Sequence, residues 1–354
     1  MNGGMRGRAA RGNPPGRFAR TLVEAVDDGW YREATPDSIA TRVEPEAART
    51  VISRNDSPDV PFAQSINPYR GCEHGCIYCY ARPSHAYLDL SPGLDFETRL
   101  YYKRDAAARL REELARPGYV CTPIALGANT DPYQPVERRL GVTRSILEVL
   151  LELHHPCTIV TKGVLVLRDL DLLAALARQR LVRVFLSITT LDAELKRTLE
   201  PRAAAPEARL RTLRELHAAG VPVGVLVAPV IPAVNDAEIE RIVELAAAAG
   251  ASSAACMPLR LPHEVAGLFR DWLQAHLPER AAHVMSLVRA MRGGRDNDPR
   301  FGARMRGTGP FAELLARRFE LACRRHGIAA REAGELDTAA FRAPHPGGQL
   351  ALGL

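Results

Sequence analysis

The sequence predicts an α/β fold: a (β/α)6 partial barrel of parallel strands, with an N-terminal extension and C-terminal helices. Three observations predict it. Short apolar strands alternate with amphipathic helices six times between residues 62 and 260. Chemically unusual residues follow each strand at its C-terminal end, the face on which parallel α/β barrels gather their sites. Behind the first strand come three thiols within eight residues, Cys72, Cys76 and Cys79. They are too compressed for a disulfide framework and suit a metal.

Residues 1–20 are basic and poor in large apolar side chains, which predicts a disordered arm. Residues 21–61 read as an N-terminal extension with one helical stretch at 22–26. The barrel spans 62–260, with strands expected at 63–66, 122–126, 158–160, 182–188, 221–227 and 253–257. Its helices are expected at 106–116, 142–153, 170–177, 208–219 and 236–249. Pro117-Gly118 ends the first helix, Gly220 closes the fourth and Asn235 stands where the fifth needs a cap. An open doubly wound sheet and a partial barrel both satisfy right-handed crossovers. The strand ends decide for the barrel. The cysteine loop, Gly127 to Pro132, Thr161-Lys162-Gly163, Ser187-Ile188-Thr189, Ala228-Pro229 and Met257-Pro258 would then line one mouth. Residues 261–327 read as a helical extension, with helices at 262–276, 279–291 and 310–326 and an Arg/Gly loop from Arg292 to Arg306. Residues 328–354 read as a flexible tail.

A chain of 354 residues, 46% hydrophobic, has room for one large domain and its appendages. No run of 18 apolar residues occurs, so no membrane span is expected. The start lacks the apolar core of a secretory signal. Seven cysteines, three of them in one loop, fit a reducing compartment and predict the cytoplasm. A net charge of +6 and a pI near 9.1 favour an anionic partner. Lysine occurs only at 103, 162 and 196, however, so the excess is almost all arginine, and compositional bias accounts for part of it.

Thiolates ligate soft metals, and three at a Cys-x3-Cys-x2-Cys spacing hold three corners of a cubane cluster, leaving one iron open to a ligand. Gly71 and Gly75 let the backbone turn around a bulky group. A zinc ion is the competing occupant, with His74 or His85 as a fourth ligand, although no second Cys/His pair follows. A buried structural cluster is another.

The loop from Gly71 to Tyr80 resembles that of the radical SAM superfamily. The resemblance implies a 4Fe-4S cluster on Cys72, Cys76 and Cys79, S-adenosylmethionine on the open iron, and Tyr78 against the adenine. Further stretches, at 129–132, 160–162, 186–188, 200–201 and 227–230, resemble in the same order the spore photoproduct lyase family and the bacterial DNA repair photolyases grouped with it. That resemblance implies SAM contacts at Asn129, Thr130, Lys162 and Ser187. The residue types agree: a lysine ammonium neutralises a carboxylate, and hydroxyls bond ribose or carboxylate oxygens. At Ala128 the chain departs from the family, whose lyase has there the cysteine that returns hydrogen to a thymine radical. Cys121 and Cys157 precede their strands and Cys323 lies on the last helix, which leaves Cys256 as the candidate catalytic donor against its reading as a packed core thiol.

The resemblance thus implies reductive cleavage of SAM to a 5′-deoxyadenosyl radical acting on a nucleic acid base, DNA before RNA, in a lyase-type repair reaction. RNA, peptide or small-molecule modification by the same chemistry is an alternative. A non-catalytic iron–sulfur module that binds nucleic acid is a second. An electron donor such as flavodoxin or ferredoxin is implied as a partner. Gln349 to Leu354, with leucines at alternate positions behind a Pro/Gly spacer, resembles the peptide by which bacterial proteins dock on the DNA sliding clamp.

Overall fold

The computed structural model describes residues 7–19, 39–330 and 335–344. Its strands are β1 (Arg42–Glu46), β2 (Ile52–Arg54), β3 (Gln64–Ile66), β4 (Tyr69–Arg70), β5 (Arg99–Lys103), β6 (Ile124–Leu126), β7 (Cys157–Thr161), β8 (Val182–Ser187), β9 (Val223–Val230) and β10 (Ser253–Pro258). Apolar, β-branched-rich runs at β6 to β9 suit strands buried on both faces. The main sheet has the order β10-β9-β8-β7-β6-β3-β2. It is parallel from β3 to β10, and only β2 runs antiparallel, on β3.

A doubly wound sheet reverses its strand order at a switch point. This one does not. Each right-handed crossover steps the same way, so the helices fall on one face and the sheet curls around the other. Among the described residues β2 and β10 remain edges, and no closed barrel forms. Helices Val142–Glu152, Leu170–Arg178, Pro206–Ala218 and Ile239–Ala248 cover the outside. Leu150, Leu176, Leu213 and Ile242 from these helices meet Ile159, Val184 and Val225 of the sheet in one core.

Every barrel strand and helix expected from the sequence is present, with ends displaced by a few residues. Asn235 is a correction, because its side chain does not cap a helix. Its Oδ1 accepts from Ile231 N at 2.6 Å, and its Nδ2 donates to Thr189 O at 2.6 Å and Pro229 O at 3.0 Å. It ties two strand-end loops together. The sequence reading also lacks the small sheet β1-β5-β4. β1 is half-buried to exposed, so no apolar alternation marks it.

Two segments expected to be mobile are packed at the residues described. Arg8, Ala9 and Ala10 of the arm are buried. Ala9 N and Ala10 N donate to Glu97, at 3.3 and 3.0 Å, and Arg8 donates to Glu97 O at 3.0 Å. Asn13 pairs with Asp95, and Arg17 with Glu264. A carboxylate with no solvent exposure needs donors, and the arm's amides supply them. At the other end, Ala329 N donates to Ser252 O at 3.0 Å beside β10. Phe341 packs on the main core and edge-on against His155 at 5.1 Å, and Arg342 N donates to Leu153 O at 2.9 Å. The helical stretch at 22–26 and the peptide Gln349 to Leu354 lie outside the described residues. No helix among those described is long and apolar enough to cross a membrane.

Candidate active site

The cysteine loop is built by backbone contacts before any side chain is considered. Gly71 and Gly75 have φ of +75° and +65°, which a side chain rarely adopts. A methyl on Gly75 would meet the Glu97 carboxylate at 2.7 Å. Cys72 N donates to Phe96 O at 2.9 Å, and Ile77 N to Leu199 O at 3.0 Å, pinning the loop at both ends. Beneath it lies Arg82, fully buried. Its guanidinium donates to Cys76 O, Gly75 O, Pro92 O and Gly93 O at 2.9–3.0 Å and to Glu97 at 2.5 Å. One arginine thus ties two carbonyls of the cysteine loop to two of the segment before helix Leu94–Thr98.

Cys72, Cys76 and Cys79 are free thiols in this loop, the first two buried and the third half-buried. Burial pushes all three thiols up, Cys76 to about 12. Lys162 and Arg209 act against that rise at Cys76, and Arg82 and Lys162 at Cys79. Cations therefore stand where ligating thiolates would need them. Among the described residues no three Cys, His, Asp or Glu side chains converge on one ion-sized point. Each candidate histidine is engaged through one ring nitrogen. His74 Nδ1 lies 3.2 Å from Asp131, and His85 bonds Arg99 O at 2.9 Å while its ring meets Phe96.

The strand ends converge on this loop. Asp131 accepts from Thr161 Oγ1 at 2.6 Å, Lys162 N at 2.7 Å and Tyr133 N at 2.9 Å. Burial alone would raise its carboxyl, but His74 and these donors outweigh it and hold the group at about 2. Asp131 thereby joins the end of β7 to the cysteine loop. Thr130 is buried and donates to Tyr69 O at 2.9 Å; its amide and that of Asn129 face Asn67 Oδ1 at 3.4 and 2.8 Å. The Lys162 ammonium lies 5.9 Å from the centre of the Tyr78 ring and has no carboxylate partner among the described residues.

Behind Tyr78 is a second buried pair. Its hydroxyl bonds Glu200 and lies 3.1 Å from Thr189 Oγ1, which itself donates to Glu200 at 2.6 Å. Arg209 pairs with the other Glu200 oxygen and donates to Ser187 O at 2.8 Å. Burial would raise the Glu200 carboxyl, but Arg209, Lys162 and the two hydroxyls hold it at about 2. Tyr78 and Ser187 are thus locked to one anchor. Sequence reading missed Glu97, Arg82, Asp131 and Arg209 in these roles; each has polar or charged neighbours in sequence, so no local contrast marks it.

Tyr80 shows how far the sheet curls. Its hydroxyl donates to Ala128 O, past β6, while its ring lies 5.9 Å from the guanidinium of Arg260, past β10. Three strands separate β6 from β10 in the sheet, yet one side chain spans their ends. Ala128 is therefore at the mouth. Cys256 is not: it packs against the main core, near Cys323 and Arg318 of helix Pro310–Arg325. Burial pushes its thiol up to about 12. The structure places it under a helix on the outer face, as a core thiol.

Comparison with known proteins agrees with this geometry. The family model described as the radical SAM superfamily matches residues 66–246. An uncharacterised protein of Mycobacterium tuberculosis is 41% identical over 232 residues, 65% of this chain and 68% of that one. An uncharacterised protein of Acidianus two-tailed virus is 33% identical over 217 residues, 59% of this chain and 68% of that one. Among solved structures, spore photoproduct lyase complexed with dinucleoside spore photoproduct is similar in fold, with a TM-score of 0.59 at 17% identity over 82% of each chain. A variant of that lyase with bound AdoMet and the dinucleoside gives a TM-score of 0.54 at 17% identity, again over 82% of each chain.

Proposed function

This chain belongs to the radical SAM superfamily, and from that premise we propose that it acts on a nucleic acid base, DNA before RNA, in a repair-type lyase reaction. The superfamily's cofactors are a 4Fe-4S cluster and SAM, which Cys72, Cys76 and Cys79 and the strand-end mouth would hold. When bound, these cofactors supply the chemistry, reductive cleavage of SAM to methionine and a 5′-deoxyadenosyl radical that takes a hydrogen atom. The chain's own residues bind, orient and keep out water. One observation carries this reading: an ammonium with no ion pair among the described residues, Lys162, stands near Cys76, Cys79 and the Tyr78 ring at a mouth where most buried charges are paired. In this reading it would receive the SAM carboxylate. Thr130, Asn129 and Ser187 would take the remaining polar groups, with Tyr78 against the adenine.

The nucleic acid reading is supported by the net charge of +6 and by likeness in fold to a lyase whose structure holds a dinucleoside. Ala128 supplies no thiol at the mouth, so the reaction differs from thymine-dimer reversal in how hydrogen is returned. The test is anaerobic reconstitution, reduction and assay of 5′-deoxyadenosine with and without duplex DNA, single-stranded DNA and RNA. Stimulation by DNA is expected. Stimulation by RNA alone would move the substrate, and no 5′-deoxyadenosine under any condition would leave a binding module. Flavodoxin or ferredoxin is proposed as the electron donor.

The sliding clamp is proposed as a partner of Gln349 to Leu354. The chain is fastened as far as Arg342 near Leu153 and His155, at the strand N-terminal ends. A clamp held by the last six residues would therefore be tethered to the face opposite the mouth. Titration of the full chain, and of one ending at Gly348, with purified clamp tests this. Binding by the truncated chain, or by neither, overturns it.

A further inference from the structure

Arg260 follows β10 by two residues, between Leu259 and Leu261, both buried, so its backbone is fixed at the mouth. Its guanidinium is half-buried and badly supplied. Nη1 donates to Met305 Sδ at 3.2 Å, a weak acceptor, and Nε is buried with no acceptor. The Tyr80 ring, 5.9 Å away, offers its face. The nearby carboxylate of Asp59 is already used by Arg304 Nε at 2.8 Å and Gly302 N at 2.9 Å. Among the described residues Arg260 has no ion pair.

The comparison with Arg82, Arg209 and Arg292 decides what this means. Those three are buried structural arginines, each with several carbonyls or a carboxylate around the guanidinium; Arg292 also leaves Nε without an acceptor, but its two terminal nitrogens meet four carbonyls, where Arg260 has one thioether. Arg260 keeps donors over while a second cation, Arg304, stands close enough to push its pKa down, after burial itself. A guanidinium left short of acceptors at low exposure is costly unless something supplies them. Tyr80, 45% exposed and next in sequence to Cys79, lies beside it.

We propose that Arg260 binds an oxyanion of the substrate at the mouth, beside Tyr80. Under the nucleic acid reading above, on which this choice of substrate rests, the oxyanion is a backbone phosphate. Its sugar and base would then extend along the Tyr80 ring toward the cysteine loop. Guanidinium donors bond phosphate oxygens in pairs, whereas a lysine there would serve only as a point charge.

The experiment measures binding of a fluorescent single-stranded oligodeoxynucleotide to the reconstituted protein across a salt series, for wild type, Arg260→Ala and Arg260→Lys. Iron content and SAM affinity are measured on the same samples. Arg260→Ala is expected to lose roughly 10- to 100-fold in affinity and about one unit of salt slope, with iron and SAM unchanged. Arg260→Lys should keep the slope and lose part of the affinity. Equal binding and slope in Arg260→Ala overturns the Arg260 site and leaves the nucleic acid reading standing. If wild type binds no oligonucleotide, that reading fails. Phenylglyoxal labelling of Arg260 in wild type then decides: protection by inorganic phosphate keeps an oxyanion site, and no protection overturns it. The labelling also decides if Arg260→Ala does not fold.

Discussion

The two ends of the barrel solve opposite problems with the same strands. At the C-terminal ends, charge is buried and paired: Arg82 with Glu97, Arg209 with Glu200, and Asp131 beside His74. At the N-terminal ends, Tyr119 donates to Gln64 at 2.7 Å, bonds His155 at 2.8 Å and packs with Phe341 at 5.5 Å, without an ion pair in that group. The cysteines divide likewise. Cys157 is buried alone at its strand start, while Cys72, Cys76 and Cys79 are gathered in one loop. Buried ion pairs are weak evidence for stability, because desolvation offsets most of their attraction. Their concentration at one end shows where the chain must hold an irregular loop in a single shape, and against that background Lys162 and Arg260 stand out.

The contrast can be broken most severely at the thiols. Cys76→Ala should abolish SAM cleavage and most bound iron, since three ligands leave no redundancy; full iron and full cleavage would end the assignment. Glu97→Gln should leave Arg82 buried and unpaired and destabilise the protein by about 3–5 kcal/mol, with early loss of iron on warming. Urea unfolding and iron release measure both, and an unchanged midpoint would mean that the loop does not need the pair.

The other end responds to pH. His155 is fully buried and burial lowers its pKa to about 4, so the folded state binds no proton where the unfolded chain does. Its contribution is fully present above pH 6.5 and is lost as pH falls toward 4, up to about 3 kcal/mol. His155→Gln should flatten the melting profile across that window; an unaltered profile would assign the pH response elsewhere. Lys162→Ala should weaken SAM binding by roughly 1.5–3 kcal/mol at constant iron, and calorimetry reads it directly. Unchanged affinity would return Lys162 to the surface. Cys256→Ala should do least: unaltered 5′-deoxyadenosine, unaltered product and at most about 1 kcal/mol of stability. A changed product would reinstate it as a donor.

What could be read from the sequence was local. The thiol spacing, the strand-end residues and the βα period are each contained in a short window, and all appear in the structure where expected. The anchors are not local. Tyr78 meets Glu200 122 residues on, and Glu73 N finds Gln134 61 residues on. No periodicity records such pairings. The docking of residues 8–10 is not legible in a composition that reads as a solvated tail, because it uses the backbone amides of Ala9 and Ala10, which composition cannot register. Cys256 stood between two readings, hydrogen donor and core thiol, because neighbouring strand residues point to opposite faces, and nearness to a strand end does not say which.

The docked arm also sets an order of events during synthesis. Residues 8–10 leave the ribosome early, but their acceptor, Glu97, comes nearly ninety residues later, at 88 and 87 from Ala9 and Ala10. Arg17 waits longer still, for Glu264, 247 residues downstream. At about 5–20 residues per second, the cysteine loop exists for on the order of ten seconds before the last of these fastenings can be made. A nascent chain thus offers its three thiols with the arm only partly fastened, and the emergence of Glu264 closes that interval.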